Sequence, residues 1–186
     1  MESAALGRLF DVGLGWAPVD LDTANGATGK RLALSRYRAV TVLVNIGAAA
    51  SGTDDLVLDL QQHTAYTGGT TADLDSAAVS TSTGCTVWHI KSETALDNDE
   101  PWVEVTQAEA SEITLAGATY AAVQKTIAIE VRAAQLGDGY SHFSINAAIT
   151  TSAVQLASCL YLPHGLRYKR KPASLANLLN PSAANA

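Results

Sequence analysis

The sequence predicts an all-β fold: an antiparallel β-sandwich or jelly roll of about eight strands with extended N- and C-terminal arms. Three observations predict it. Apolar residues recur with period two in short runs, Gly, Asp and Asn turns separate the runs, and each run has one apolar and one polar face. The composition agrees, since 47% hydrophobic and 16% charged residues over 186 positions supply one core and too little charge for disorder. The chain has 14 Gly, a single Met and no long Leu/Glu/Lys-rich stretch, which argues against a helical bundle.

Residues 1–38 carry breakers at Gly13, Gly15, Pro18, Asn25-Gly26 and Gly29 without a sustained period, and read as an N-terminal arm. The strand domain then spans 39–163. Its first strand sets Val40, Val42, Val44 and Ile46 on one face, with Thr41 and Asn45 opposite and Leu43 as the exception. Asp55 to Gln61 repeats the pattern with Leu56, Leu58 and Leu60. The Thr/Ser/Gly/Ala-rich stretch 63–84 is long for a connection, and such loops are functional or partly structured.

Further strands are predicted at 85–91, 102–106, 112–115 and 125–132, the last with Ile127, Ile129 and Val131 inward. Ser141 to Thr150 follows with Phe143 and Ile145 inward, and Val154 to Leu162 closes the domain with Val154, Leu156, Leu160 and Leu162 inward. Between the strands at 125–132 and 141–150, Leu136-Gly137-Asp138-Gly139-Tyr140 is a tight turn, because Gly tolerates positive φ. Beyond Leu162, Pro163 and Pro172 bracket a basic run, and Ala173 to Leu179 reads as one short helix stopped by Pro181.

Charge is unevenly placed. Residues 39–163 hold three basic residues against fourteen acidic ones, whereas 164–186 hold Arg167, Lys169, Arg170 and Lys171 and no acid. A basic arm of this kind suits an acidic neighbour, on an adjacent copy or on another protein. The net charge of −6 argues against a nucleic-acid partner. No basic n-region with an apolar run and no stretch of 18 apolar residues is present, so the sequence reads as soluble, non-exported and without a membrane partner. Cys85 and Cys159 fall in predicted strands and read as two buried thiols, with a bridge between them left open.

Catalytic and cofactor signatures fail on spacing. Gly26-Ala27-Thr28-Gly29-Lys30-Arg31 lacks the leading Gly and the Ser or Thr after Lys that a phosphate loop requires, and reads as a flexible turn. His63, His89, His142 and His164 show no zinc spacing, and His89 reads as a hydrogen-bonded structural imidazole. Asp138, Ser141 and His142 supply triad residue types, but adjacent strand residues point to opposite faces. Glu93, Asp97, Asp99 and Glu100 offer oxygen ligands for calcium, yet Pro101 breaks the consensus and the segment reads as a solvated loop. No cofactor, metal or enzymatic chemistry is therefore expected.

Several phrases carry a resemblance: Gly7-Arg8-Leu9-Phe10-Asp11-Val12-Gly13, Ala17-Pro18-Val19-Asp20-Leu21, residues 56–64 leading to Thr67-Gly68-Gly69-Thr70, Trp102-Val103-Glu104-Val105-Thr106-Gln107-Ala108, and Gln135 to Tyr140. Together they resemble a family of small virion structural proteins of tailed bacteriophages and prophages, over most of the chain. The resemblance implies a protein of the phage head, assembled in the host cytoplasm. Its narrower implication is a capsid decoration or cement protein that binds the major capsid protein and further copies of itself as a homo-oligomer.

The arms are then the binding elements, through Arg8, Phe10 and Trp16 at one end and Arg167, Tyr168, Lys169, Arg170 and Lys171 at the other. Multiple weak contacts by such arms add up through multivalency. A neck or tail ring component would use the same arms. A glycan-binding sandwich would instead use Trp16, Trp88 and Trp102 with Tyr66, Tyr120 and Tyr140 as a stacking platform.

Overall fold

The computed structural model describes residues 5–6, 9–49, 55–74, 87–95, 97, 100–108, 110–149 and 154–166. Eleven strands are described: β1 Gly13–Asp20, β2 Leu32–Ala33, β3 Ala39–Ile46, β4 Leu56–His63, β5 Thr71–Asp73, β6 Val87–Glu93, β7 Val103–Thr106, β8 Glu112–Leu115, β9 Gln124–Arg132, β10 His142–Ile149 and β11 Leu156–His164. They form two antiparallel sheets, one ordered β1-β11-β3-β9-β6-β7 and the other β2-β10-β4-β5, with β8 also paired to β4. Eight strands give four-stranded sheets β1-β11-β3-β9 and β2-β10-β4-β8, the double Greek key of a jelly roll. Strands β5, β6 and β7 are an insertion between β4 and β8, and β6–β7 extends the larger sheet as a hairpin.

The period-two pattern dictates the core. Val40, Val42, Val44 and Ile46 of β3 and Ile127, Ile129 and Val131 of β9 face Leu56, Leu58 and Leu60 of β4 and Phe143 and Ile145 of β10, all buried. Each such side chain contributes about 1.5–3 kcal/mol by leaving water. The connection from β9 to β10 turns at Gly137–Tyr140, where the Tyr140 amide donates to the Gly137 carbonyl (3.0 Å) and Gly139 adopts φ +85°.

Two regions depart from the sequence reading. Residues 13–37 are part of the sandwich: β1 pairs with β11, β2 pairs with β10, and Trp16, Leu21, Leu32, Leu34 and Tyr37 are buried. The alternation is hidden because β1 shifts register between Leu14 and Trp16 and again between Trp16 and Val19, and β2 has two residues. The faces of β11 are also reversed. Ala157, Cys159 and Tyr161 are buried, whereas Val154 and Leu156 are 49% and 60% exposed. Register decides this, since Tyr161 stands opposite Val42, Cys159 opposite Val44 and Ala157 opposite Ile46, and directly opposed residues share a face.

Tyr161 also joins the sheets. Segment 26–33 runs along β10 as a broken edge, bridging at Ala27 and pairing again at Leu32–Ala33. Between these points Gly29 lies so close to β10 that a Cβ there would stand 2.1 Å from the Ile145 carbonyl oxygen. The Ile145 amide donates instead to the Tyr161 hydroxyl across the core (3.2 Å), and the Gly29 amide donates to Asn146 Oδ1 (3.0 Å). A gap in the edge ladder is thus closed by side chains.

Candidate functional site

Strand direction places three arginines at one end of the sandwich and most of the acids of the strand ends at the other. At one end β11 finishes at His164, whose carbonyl accepts from the Arg38 amide (3.1 Å), and β3 and β9 meet there at Ala39 and Arg132. Arg36, Arg38 and Arg132 lie at this end together with Asp138 and with Glu130, whose Oε1 is 3.4 Å from Arg132 Nε, and the chain continues from here toward Arg167, Lys169, Arg170 and Lys171. The other end carries Asp20 at the end of β1 and Asp22 after it, Asp55 before β4, Glu93 at the end of β6, and Asp97 and Glu100 between β6 and β7. Hydrogen bonds, foremost from the Thr23 hydroxyl, hold Asp20 below the ordinary carboxylate value, so it stays ionised at neutral pH.

The β6–β7 hairpin carries exposed apolar residues. Trp102 and Val103 are 48% and 53% exposed, and Asp97, Glu100 and Glu104 are exposed in the same hairpin, Val103 on the face of Ile90 and Glu104 on that of His89. Trp88, on the core face of the same hairpin, is buried and donates its indole N–H to Gln107 Oε1 (2.9 Å). The hairpin therefore presents one indole outward and keeps the other in the core.

The expected partner-binding residues separate. Trp16 is 5% exposed within the core, so it packs the sandwich and is not free to meet a partner. Phe10 is half-buried and bridges to His164, which ties the residues before β1 to the end of β11. Arg8, Arg167, Tyr168, Lys169, Arg170 and Lys171 lie outside the described residues, as do Cys85, Asp99 and the helix expected at Ala173 to Leu179. Cys159 is a free buried thiol whose pKa burial pushes well up. Trp16 and Trp88 are both withdrawn into the core, so the three indoles do not form a shared stacking platform.

A polar cluster that sequence reasoning missed occupies the outer face of the smaller sheet at its His63 end. His63 is buried, with Nε2 2.8 Å from Ser144 Oγ and Nδ1 2.9 Å from Thr71 Oγ1. Arg31 donates to the Ala65 and Gly68 carbonyls (2.8 and 2.6 Å) and to Thr71 Oγ1 (3.2 Å), so the expected flexible turn ends in a clamp on the loop after β4. Burial, then the Arg31 charge and His142, lower the His63 pKa from 6.5 to about 4. The pairing of β4 with β10, which sets His63 beside His142, was the one available signal, and it requires knowing the register.

Two further expectations fail here. Ser141 and His142 do meet, with Oγ 2.8 Å from Nδ1, because Ser141 precedes the first residue of β10 and strand alternation does not yet apply. No carboxylate is bonded to His142 among the described residues, and Asp138 is exposed in the turn. The geometry is a hydroxyl–imidazole pair without an orienting acid. His89 is exposed on the outer face, 3.6 Å from Glu104, rather than a hydrogen-bonded structural imidazole.

Below the acidic end, a cleft of about 290 Å³ is lined by Pro18, Asn45, Lys91, Glu93, Lys125 and Leu156 among others. Glu93 is buried and paired with Lys91 (3.0 Å). Lys125 donates to the Tyr120 and Val123 carbonyls (2.7 and 3.0 Å), and burial lowers its pKa to about 8. Both groups are thus committed to structural bonds. No group of three or more His, Cys, Asp or Glu side chains is placed to hold a metal ion among the described residues, and no described helix is long and apolar enough to cross a membrane. Comparison with family models, curated proteins and solved structures finds no match.

Proposed function

We propose that this chain is a non-enzymatic structural protein of a phage particle, a decoration or cement protein that fastens onto the capsid lattice through its basic C-terminal segment. The observation that carries the reading is the acid-rich end of the sandwich opposite the end from which the basic segment leaves. Arg36, Arg38 and Arg132 lie, with Glu130 and Asp138, at the end from which the chain runs on to four more basic residues, and the opposite end is acidic. Such an object binds its neighbours by electrostatic complementarity and multivalency rather than by a deep pocket. The jelly roll is compatible, being shared by viral capsid and lectin domains, but a fold carries no function by itself. The resemblance of the sequence to small virion proteins supplies the phage context.

The test is deletion of residues 167–186 followed by measurement of occupancy on particles. Occupancy is expected to fall sharply, and wild-type binding is expected to weaken as ionic strength rises. Unchanged occupancy removes the tail from the mechanism. The polarity of the sandwich also favours a second reading, a neck or tail ring, because unlike ends generate head-to-tail contacts that close into rings. Copy number separates the two readings, on the order of hundreds per particle for a cement and roughly six or twelve for a ring.

A further inference from the structure

We propose that the outer face of strands β1, β11 and β3 is a self-association surface, onto which a second copy lays the same face with its strand ends reversed. This goes beyond the reading above and does not rest on it. The strand register builds the surface. Leu14 stands opposite Leu160 and Leu160 opposite Leu43, so the three side chains form one row on the face turned away from the core. Ala128 extends that row onto β9. The same register, carried back to the bridge between Phe10 and His164, sets Val12 opposite Leu162 one row along. Val12 and Leu14 are 50% and 42% exposed, and Leu43, Leu160 and Leu162 are half-buried.

An antiparallel sheet with one face in water is ordinarily polar on that face. The other half of this sheet obeys the rule, with Thr126 and Glu130 of β9, His89 and Lys91 of β6 and Glu104 of β7 turned outward. The half built from β1, β11 and β3 departs from it. This accounts for a strand β11 that is apolar on both parities: Ala157, Cys159 and Tyr161 pack the core, and Leu160 and Leu162 are left for a neighbour. Thr41 opposite Leu162, and Ser158 opposite Asn45, border the apolar side chains as a polar rim does in an interface.

Size and charge point to a second copy as the occupant. The face runs eight residues from His164 to Leu156, about 26 Å, and its four strands β1, β11, β3 and β9 span about 19 Å. That is on the order of 500 Å² per copy and 1,000 Å² for a pair, the size at which specific interfaces begin. Two such faces stack about 10 Å apart around a two-fold axis, with like ends together or with ends opposed. Like ends together would set the two acid-rich ends side by side, each with Asp20, Asp22, Glu93, Asp97 and Glu100. Opposed ends set each of them beside Arg38 and Arg132 of the other copy, so charge selects this sense. Leu160 lies four residues from both Leu156 and His164, and an axis through its row brings His164 of one copy over Leu156 of the other. The contact is isologous and closes at two copies.

Sedimentation velocity on the purified full-length protein over a concentration series tests this. Wild type is expected to be a dimer that dissociates on dilution. Val12→Asp with Leu14→Asp, at two exposed positions, should weaken association at least tenfold with an unchanged circular dichroism spectrum. Val103→Asp, at a position equally exposed but on the core-side face of the sheet, should associate like wild type. A charge swap tests the sense of the axis. Arg38→Glu with Arg132→Glu, and Asp22→Lys with Asp97→Lys, should each weaken association at least threefold, and an equimolar mixture of the two should recover it. With like ends together, neither variant alone would be weaker than wild type.

The inference is overturned if wild type is monomeric throughout, if the Val12 and Leu14 variant associates like wild type, if Val103→Asp weakens association as much, or if the charge variants leave it unchanged. A monomer whose urea midpoint falls on deletion of 167–186 would give the face to the chain's own tail. A monomer that loses particle occupancy with the Val12 and Leu14 variant would give it to a particle protein. Either result overturns a second copy as the occupant.

Discussion

His63 is an imidazole locked between two hydroxyls, and its environment fixes the acid response of the fold. Burial, Arg31 and His142 depress its pKa to about 4, so the folded state keeps it neutral while the unfolded chain takes up a proton as pH falls below the ordinary 6.5. The unfolded state then binds more protons, and stability is expected to decline between about pH 6.5 and about pH 4, with no contribution from this group above that window. His142 is shifted in the same direction by burial and Arg31, so His63→Gln should reduce the decline without removing it. Urea midpoints at a series of pH values check this, and parallel curves for wild type and His63→Gln would contradict it. None of this was legible in the sequence. A histidine followed by Thr64 carries no sign that Ser144, 81 positions later, will meet its Nε2.

At the scale of the element, β11 shows what alternation can and cannot deliver. Its sequence reads apolar on both parities, Leu156, Leu160 and Leu162 on one and Ala157, Cys159 and Tyr161 on the other, so the pattern alone does not say which side is the core. Pairing with β3 decides in favour of Tyr161, which also satisfies the Ile145 amide in the other sheet. Tyr161→Phe is expected to cost about 1–3 kcal/mol, because a buried amide loses its acceptor. Leu156→Ser, at a position 60% exposed, should stay within about 0.5 kcal/mol. Chemical denaturation of both variants compares them, and equal effects would mean the faces are assigned wrongly. By contrast β3, β4 and β9 alternate polar and apolar residues without such ambiguity, and their inward faces were readable directly.

For the whole molecule, the separation of scaffold from appendage can be measured. Deleting residues 1–38 removes β1 and β2 with five large buried side chains, Trp16, Leu21, Leu32, Leu34 and Tyr37, and is expected to abolish cooperative unfolding. Deleting 167–186 should leave the urea midpoint unchanged, so that any loss of particle binding belongs to the tail and not to unfolding. A folded protein lacking 1–38 would restore the N-terminal segment to the status of an arm.

The sequence by itself determined the all-β class, eight of the strands, the Gly137–Tyr140 turn and the uneven charge, because period-two burial, glycine's tolerance of positive φ and net charge are local properties of the chain. Tertiary structure decided the membership of β1 and β2, the inward face of β11, the His63 cluster and the exposure of Trp102 beside acids. Each depends on which strand lies next to which, and strand register is set by contacts between residues far apart in the chain.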